Sequence, residues 1–238
     1  MPKPTEAKPS DNASENSDKR ALTAGNNPRD RNFIWKVCQS LTTIACKTFF
    51  DYKSFGTHHI PRYGGVLVLS NHQSYLDPPL LGLPMRRPMA YLAKSELFKN
   101  PLFGGLIRQL NAFPVRQGAG DIGAMRESIK LLQEGWLLNV FPEGLRTPDG
   151  ELKPSQKGGA LMVRKAGVPV VPAVIDGSFN AWPRNQKFPR SKPVRVMYGP
   201  PVELAHRKAG DILKWTDDTL AEMLGDLRAG RVHDRKRG

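Results

Sequence analysis

Short apolar runs alternate with segments of helical periodicity along most of the chain. The runs are rich in Val, Leu and Ile, and they predict buried strands at 65–69, 89–93, 113–115, 137–141, 170–175 and 194–198. Apolar residues that recur every three or four positions predict helices at 78–83, 101–110, 121–133, 158–165 and 216–227. Because strands alternate with helices, the pattern predicts an α/β fold with helices on both faces of a sheet.

The segment at 31–54 has the pattern of an amphipathic helix. Its polar residues, such as Lys36 and Lys47, fall opposite an apolar stripe that comprises Ile34, Val37, Cys38, Leu41, Ala45 and Phe49. The stripe either packs on the domain or lies in a membrane interface, to whose headgroup boundary the aromatic residues near both ends of the segment are suited. Charged residues within the segment argue against a helix that spans the bilayer.

Composition divides the rest of the chain. Residues 1–30 contain hardly any large apolar side chains and are expected to form a disordered tail. Residues 55–228 suit one domain, for which Asp121 is the predicted N-cap of the helix that ends at Gln133, and residues 229–238 form a basic tail. No apolar run approaches the roughly 18 residues that a membrane span requires, and no secretory signal is visible.

The chain carries a formal net charge of +14, which favours anionic partners. We expect an anionic membrane surface and no nucleic acid, because no zinc-finger or RNP-type signature is present. The two cysteines, Cys38 and Cys46, lie eight positions apart on a predicted helix, roughly 12 Å, which is too far for a disulfide. Free thiols indicate a reducing, cytoplasmic setting, so we expect a peripheral or monotopic protein on the cytoplasmic face of a membrane.

A histidine and an aspartate follow the first buried strand. His72 and Asp77 lie where the strand ends, at the edge where open α/β sheets bind ligands. A carboxylate can orient an imidazole and stabilise its charged form, as in hydrolytic triads. Asp77 could instead be the N-cap of the next helix, since Pro78 follows it, and the two roles are compatible. No Cys or His-x-x-His cluster supports zinc, so no metal site is expected.

Four motifs in register resemble the signatures of the glycerophospholipid acyltransferases, which include the lysophosphatidic acid acyltransferases. Asn71-His72-x4-Asp77 resembles the first, Phe113-Pro114-Val115-Arg116 the second, Phe141-Pro142-Glu143-Gly144-Leu145-Arg146-Thr147 the third and Val168-Pro169-Val170-Val171-Pro172 the fourth. The resemblance covers roughly residues 55–205. It implies a mixed, roughly seven-stranded sheet with helices on both faces, and it favours a membrane-interface helix for the segment at 31–54.

The resemblance also implies a reaction. His72 would act as general base and Asp77 would orient it, while a lysophospholipid hydroxyl attacks a thioester of coenzyme A or of an acyl carrier protein, with no other cofactor. No Gly-x-Ser-x-Gly elbow is present, which argues against an acyl-enzyme. The implied acceptor is lysophosphatidic acid. Another lysolipid, such as lyso-ornithine lipid, or a non-catalytic lipid-binding role are the alternatives.

Substrate binding is assigned to residues near these motifs. Arg146 offers a planar fork matched to phosphate oxygens, Gly144 allows close backbone approach, and Glu143 could accept a hydrogen bond from a glycerol hydroxyl. Without the resemblance, the favoured interpretation is that Arg146 is a surface residue and Glu143 is its partner. The full set comprises Asn71, Lys94, Arg116, Glu143, Gly144, Arg146 and Thr147.

Overall fold

The computed structural model describes residues 32–115 and 122–232. Four predictions from the sequence lie outside these ranges: the disordered tail at 1–30, the phosphate contact of Arg116, the N-cap Asp121, and residues 233–238 of the basic tail. Among the described helices, none has both the length and the hydropathy that crossing a bilayer requires.

The regular elements follow the predicted alternation. In chain order they are α1 (Phe33–Phe50), β1 (Lys53–Phe55), β2 (Val66–Ser70), α2 (Asp77–Gly82), β3 (Met89–Lys94), α3 (Pro101–Gln109), β4 (Ala112–Val115), α4 (Ile122–Gln133), β5 (Leu137–Val140), α5 (Lys157–Ala166), β6 (Val170–Asp176), α6 (Ser178–Ala181), β7 (Arg195–Tyr198) and α7 (Ala209–Arg228). Single 3-10 turns lie at Thr57–His59 and Ser95–Phe98. α7 begins seven residues earlier than the sequence pattern predicts.

The strands form one mixed sheet of seven strands in the order β1-β7-β6-β2-β5-β3-β4. All neighbouring pairs are parallel except β6 and β7, which are antiparallel. The sheet confirms the expected fold class. β1 was not predicted, because its three residues continue directly from the helical pattern of the segment at 31–54.

The central strand β2 shows why the sheet needs cover on both sides. Val66 and Val68 pack in one apolar cluster with residues of α1 and α2, whereas Leu67 and Leu69 pack in another with residues of α4, α5 and α7. All four side chains are at most 1% exposed, and burial of each is worth about 1.5–3 kcal/mol. A continuous apolar run is therefore required here, because both faces of this parallel strand are buried.

Helix α1 does not bury the stripe that the sequence pattern identified. Trp35, Cys46 and Phe50 are its buried residues, and the Gln39 amide donates to the carbonyls of Leu83 and Met85 at 2.8 and 3.0 Å. The apolar side chains of the helix that are exposed are Phe33, Ile34, Val37, Leu41, Ile44 and Phe49. The helix is thus anchored to the domain by one face and leaves most of its apolar stripe uncovered.

Helix α2, which follows the His72 turn, is fixed at its carboxyl end. Tyr52 donates its hydroxyl to the carbonyl of Leu80 at 2.8 Å, and Tyr198 donates to that of Leu81 at 2.7 Å. Both phenols are buried, which raises their pKa values above the ordinary range and keeps them as donors. These contacts satisfy terminal carbonyls of the helix and hold it in place.

Candidate active site

The ends of three neighbouring strands gather the predicted site residues at one edge of the sheet. Strands β2, β5 and β3 are parallel neighbours, so their carboxyl ends lie together. His72 follows the end of β2, Glu143 follows the end of β5, and Lys94 is the last residue of β3. The topology therefore brings together residues that are up to 71 positions apart in the chain.

His72 and Asp77 form a hydrogen-bonded pair. Asp77 Oδ2 lies 2.9 Å from His72 Nδ1 and also accepts the backbone N–H groups of Gln73 at 2.6 Å and Ser74 at 2.7 Å. The Asp77 side chain is fully buried, whereas that of His72 is 17% exposed. With Nδ1 donating to the carboxylate, His72 Nε2 is left to accept a proton from a ligand.

The prediction that Asp77 is a helix N-cap is wrong. The N-cap of α2 is Leu76, and Asp77 is the first residue of the helix. Its carboxylate points back and stabilises the turn through the amides of Gln73 and Ser74. The carboxylate nevertheless reaches the imidazole of His72.

The imidazole plane is fixed by an aromatic neighbour. The rings of His72 and Phe141 are stacked, with centroids 3.8 Å apart and planes 11° from parallel. Phe141 directly follows β5, the strand that pairs with β2. The ring of His72 is thus held on one edge by Asp77 and on one face by Phe141.

Glu143 braces the backbone of the site. Its two carboxylate oxygens accept the backbone N–H groups of His72 at 3.0 Å and Lys153 at 3.2 Å, and the residue is 6% exposed. Burial raises the pKa of Glu143 from its ordinary value of 4.5 to about 7, against the opposing effect of those two hydrogen bonds. The side chain joins the turn after β2 to the loop before α5.

The third motif is held against this turn by backbone contacts. The N–H of Thr147 donates to the carbonyl of His72 at 2.9 Å, and its hydroxyl donates to Asp149 Oδ1 at 2.5 Å. Gly144 has φ 76°, a conformation that favours glycine, and a Cβ there would lie 2.7 Å from Gln156 Nε2. Gln156 Nε2 donates to the carbonyl of Glu143 at 3.0 Å. A larger residue at position 144 would therefore displace the Gln156 amide and weaken this hydrogen bond.

Arg146 lies over the face of Tyr75. Its Cζ is 3.4 Å from the centroid of the tyrosine ring, and its Nη1 has no protein partner within the described ranges. The adjacent guanidinium of Arg146 lowers the pKa of the Tyr75 hydroxyl, with smaller contributions from the charges of Arg184 and Lys94. Three cations therefore act on one partly exposed tyrosine beside the His72 turn, a setting suited to a phosphate group.

Asn71 is placed differently from the other members of the predicted set. Its side chain is fully buried, donates to the carbonyl of Ile175 at 2.9 Å and accepts from the N–H of Ile175 at 2.8 Å. It continues the pairing of β2 with β6 beyond the last residue of the strand. The amide thus fixes the start of the turn and offers no accessible surface to a substrate.

Comparisons with known proteins identify this arrangement. The sequence model of the acyltransferase family matches residues 52–176, just over half of the chain. The chain belongs to the acyltransferase family. The matched residues include His72, Asp77 and the whole third motif, so the family signature coincides with the strand-end cluster.

Relatives of the acyltransferase family cover most of this chain. A 1-acyl-sn-glycerol-3-phosphate acyltransferase of Bacillus subtilis (strain 168) is 26% identical over 200 residues, which cover 82% of this chain and 96% of that protein. One from Limnanthes alba is 30% identical over 171 residues, which cover 71% of this chain and 56% of that protein. The crystal structure of the 1-acyl-sn-glycerophosphate (LPA) acyltransferase, PlsC, from Thermotoga maritima is similar with a TM-score of 0.69, 27% identity, and coverage of 91% of this chain and 84% of that chain.

Several residues of this candidate site were not predicted from the sequence. Phe141 and Tyr75 lie within or beside the motifs, and their aromatic character was the available signal. No sequence signal marked Trp182 as a site residue. Its carbonyl nevertheless accepts a hydrogen bond from the Ser74 hydroxyl at 2.7 Å, and the centroid of its ring lies 5.9 Å from that of Tyr75. This segment lies beyond the family match, which ends at 176.

An apolar groove adjoins the candidate site at Tyr75, the residue over which Arg146 lies. It has a volume of about 450 Å³ and is lined by Tyr75 together with residues of α1, α2, β3 and α3, including Trp35, Pro79, Tyr91 and Phe103. The groove has the size and the lining expected of a site for an apolar ligand. Within the residues that the structure describes, no group of three or more His, Cys, Asp or Glu side chains is arranged to hold a metal ion.

Proposed function

We propose that this protein is an O-acyltransferase that moves a fatty acyl group from a thioester to the free hydroxyl of lysophosphatidic acid, which yields phosphatidic acid. The observation that carries the proposal is the 2.9 Å contact between His72 Nδ1 and Asp77 Oδ2. This contact leaves Nε2 of His72 to accept the proton of the acceptor hydroxyl. The turn that contains His72 is hydrogen-bonded to the loop that contains Arg146. The names of the relatives support the same acceptor.

The chemistry needs one base that serves twice. His72 Nε2 takes the proton of the acceptor hydroxyl as the hydroxyl oxygen bonds to the thioester carbonyl carbon. The tetrahedral intermediate then collapses, the C–S bond breaks, and the proton passes from His72 to the departing thiolate. Asp77 keeps the ring oriented and stabilises its charged form between the two transfers. Coenzyme A and an acyl carrier protein both supply a suitable thioester, and no other cofactor takes part.

Cationic residues would hold the acceptor phosphate. Arg146 presents a guanidinium with Nη1 unpartnered among the described residues, and Lys94 and Arg184 act on the same tyrosine. A guanidinium gives two parallel hydrogen bonds to phosphate oxygens. We place Lys94 and Arg146 against the phosphate and the apolar groove around an acyl chain, whereas Asn71, Glu143 and Thr147 position the site.

Exposed apolar residues support a peripheral location on an anionic membrane, and the free thiols of Cys38 and Cys46 support its cytoplasmic face. On α1, Leu41 and Ile44 are 63% and 64% exposed, and on α3, Leu102 and Phe103 are 86% and 46% exposed. These helices flank the groove, so a chain drawn from the membrane would enter between them. The net charge of +14 adds attraction to anionic lipids.

An acceptor panel tests the proposal. The purified protein is given a radiolabelled acyl thioester, of coenzyme A or of acyl carrier protein, and the products are separated by thin-layer chromatography. Lysophosphatidic acid should be acylated fastest, and His72→Ala should lower the rate by about 10²–10⁴-fold with the fold retained. His206→Ala, an exposed histidine elsewhere, is the matched control. A faster reaction with lyso-ornithine lipid would overturn the acceptor assignment, and no acylation of any lysolipid would favour a binding role.

A further inference from the structure

A second cavity lies at the opposite edge of the sheet from His72. Its walls are the segments that precede β2 and β3, so it sits at the amino ends of these strands, one strand length or roughly 17 Å from the His72 turn. The cavity has a volume of about 460 Å³, within the range of small-molecule sites. Its polar lining comprises Thr57, His58, Arg62, Tyr63, Arg86 and Arg87.

Arg87 is built into the wall of this cavity. It is 6% exposed, and its guanidinium donates to the carbonyls of Pro61 at 3.2 Å, Gly64 at 2.8 Å and Gly135. These bonds join three loops, so the two walls of the cavity are fixed relative to each other. The backbone framework of the cavity is therefore held by a buried side chain, while exposed side chains such as Arg62 and Arg86 complete its lining.

The charge of this cavity is not balanced by the protein. None of the residues that line it is acidic, and no carboxylate of the described residues pairs with Arg62, Arg86 or Arg87. The Arg87 Nε is buried and has no hydrogen-bond partner among the described residues. A buried cation without a counter-ion is costly, and burial accordingly lowers the pKa of Arg87. A bound anion would relieve this cost.

We propose that this cavity is a second ligand site, separate from the acyltransfer centre, that binds a phosphate-bearing molecule. Arg62 and Arg86 are exposed side chains at the cavity, and their guanidinium groups match phosphate oxygens in geometry and charge. The phosphate belongs either to a small soluble compound or to the headgroup of an anionic phospholipid. Gln39 of α1 bonds to the carbonyl of Met85, a residue of the cavity wall, which places the cavity beside the helix with the exposed apolar stripe.

The test uses the full chain carrying Arg146→Gln, which weakens phosphate binding at the acyltransfer centre. Inorganic pyrophosphate is titrated by calorimetry, and co-flotation is measured with phosphatidylcholine vesicles with and without phosphatidylglycerol. Adding Arg62→Gln and Arg86→Gln should weaken pyrophosphate binding, or the phosphatidylglycerol-dependent flotation, by about tenfold or more, because charge-assisted hydrogen bonds to phosphate oxygens are lost. Both substituted residues are exposed, and circular dichroism checks that the fold is retained.

The matched control is Arg164→Gln with Lys165→Gln, which removes the same charge from exposed positions of α5. A loss confined to the Arg62 and Arg86 variant supports the site, and the assay that shows it identifies a soluble or a lipid phosphate. Equal losses in both variants, or no loss in either assay, would overturn the proposal. Acylation of lysophosphatidic acid by otherwise wild-type protein with Arg62→Gln and Arg86→Gln is scored separately, so failure here leaves the proposed activity standing.

Discussion

The carboxylate of Glu143 bonds to the backbone N–H of His72 at 3.0 Å, and its second oxygen bonds to the N–H of Lys153 at 3.2 Å. The resemblance implied that Glu143 receives a glycerol hydroxyl. Both oxygens are instead directed at the backbone, and only 6% of the residue is exposed. We therefore propose that Glu143 is a positioning residue that fixes the backbone of the proposed base, His72.

Replacing Glu143 with glutamine should lower kcat more than it raises KM. One carboxylate oxygen becomes an NH2 group that cannot accept a backbone N–H, which leaves an amide unsatisfied at a cost of about 1–3 kcal/mol. A small displacement of His72 then lowers kcat by about tenfold to a hundredfold. Steady-state kinetics with varied acceptor measure the two constants, with Glu151→Gln as the control. An unchanged kcat with a raised KM would instead indicate direct contact with the acceptor.

The carboxyl group of Glu143 should also make the free energy of unfolding depend on pH. Its pKa is about 7 in the folded protein and near 4.5 when exposed, so the folded chain keeps this proton to higher pH. Unfolding therefore releases a proton between these values, and the contribution of Glu143 to the unfolding free energy falls as pH rises from about 4.5 to 7.

Denaturant unfolding from pH 4.5 to 7.5 tests this dependence. The difference in unfolding free energy between the wild type and Glu143→Gln should change with pH, with the wild type losing more stability as the pH rises. The variant has no proton to lose at this position, so its profile should be flatter. Parallel profiles for the two proteins would contradict the assigned burial of a titrating carboxyl group.

The sequence predicts those parts of the fold that depend on local pattern. The run from Val66 to Leu69 is apolar at every position because both faces of β2 are buried, and that is visible in one dimension. The short strand β1 cannot be recognised in the sequence, because its three residues are stabilised as a strand by pairing with β7. Pairing partners far along the chain are set by tertiary packing, which no local pattern records.

The contacts of the candidate site also differ in how far they can be predicted from the sequence. His72 and Asp77 are close in sequence, so one turn suffices to join them, and their pairing could be predicted. The two hydrogen bonds of Glu143 span 71 and 10 residues, and the backbone N–H of Lys153 has no sequence signature at all. Motif residues therefore mark the location of the site. Which of them have chemical roles and which have positioning roles follows only from their contacts in three dimensions.

Arg146→Lys should weaken binding of acceptors that carry a phosphate. Lysine lacks the planar fork and cannot stack in the same way on Tyr75, where the guanidinium now lies 3.4 Å from the ring centroid. Loss of one charge-assisted hydrogen bond, about 1.5–3 kcal/mol, should raise KM for lysophosphatidic acid by about tenfold or more. Kinetics with monoacylglycerol, which has no phosphate, provide the comparison, and Arg207→Lys controls for the substitution itself.

An equal rise in KM for both acceptors would contradict this assignment, since only one of them can use the guanidinium fork. A fall in kcat alone would place Arg146 in the positioning framework with Glu143. The Tyr75→Leu variant separates these outcomes further. It removes the ring under the guanidinium, so it should loosen Arg146 and raise KM in the same acceptor-dependent way.

Exposed apolar residues of α1 should determine attachment to membranes. Deletion of the whole helix is a poor test, because Trp35 and Phe50 are 5% and 6% exposed and anchor the helix to the core. Leu41→Glu with Ile44→Glu changes two side chains that are more than 60% exposed, so the fold should be retained. Their loss from the interface removes about 1.5–3 kcal/mol each.

Co-flotation with anionic liposomes should therefore fall by tenfold or more, because each loss of about 1.4 kcal/mol in binding free energy lowers the affinity tenfold. Leu161→Glu is the matched control, because Leu161 is 41% exposed on α5, a helix that packs on the opposite face of the sheet. Acylation of a lysolipid dispersed below its micellar concentration should change less than acylation of one held in vesicles. Undiminished flotation of the α1 variant, or an equal loss with Leu161→Glu, would show that another surface attaches the protein to lipid.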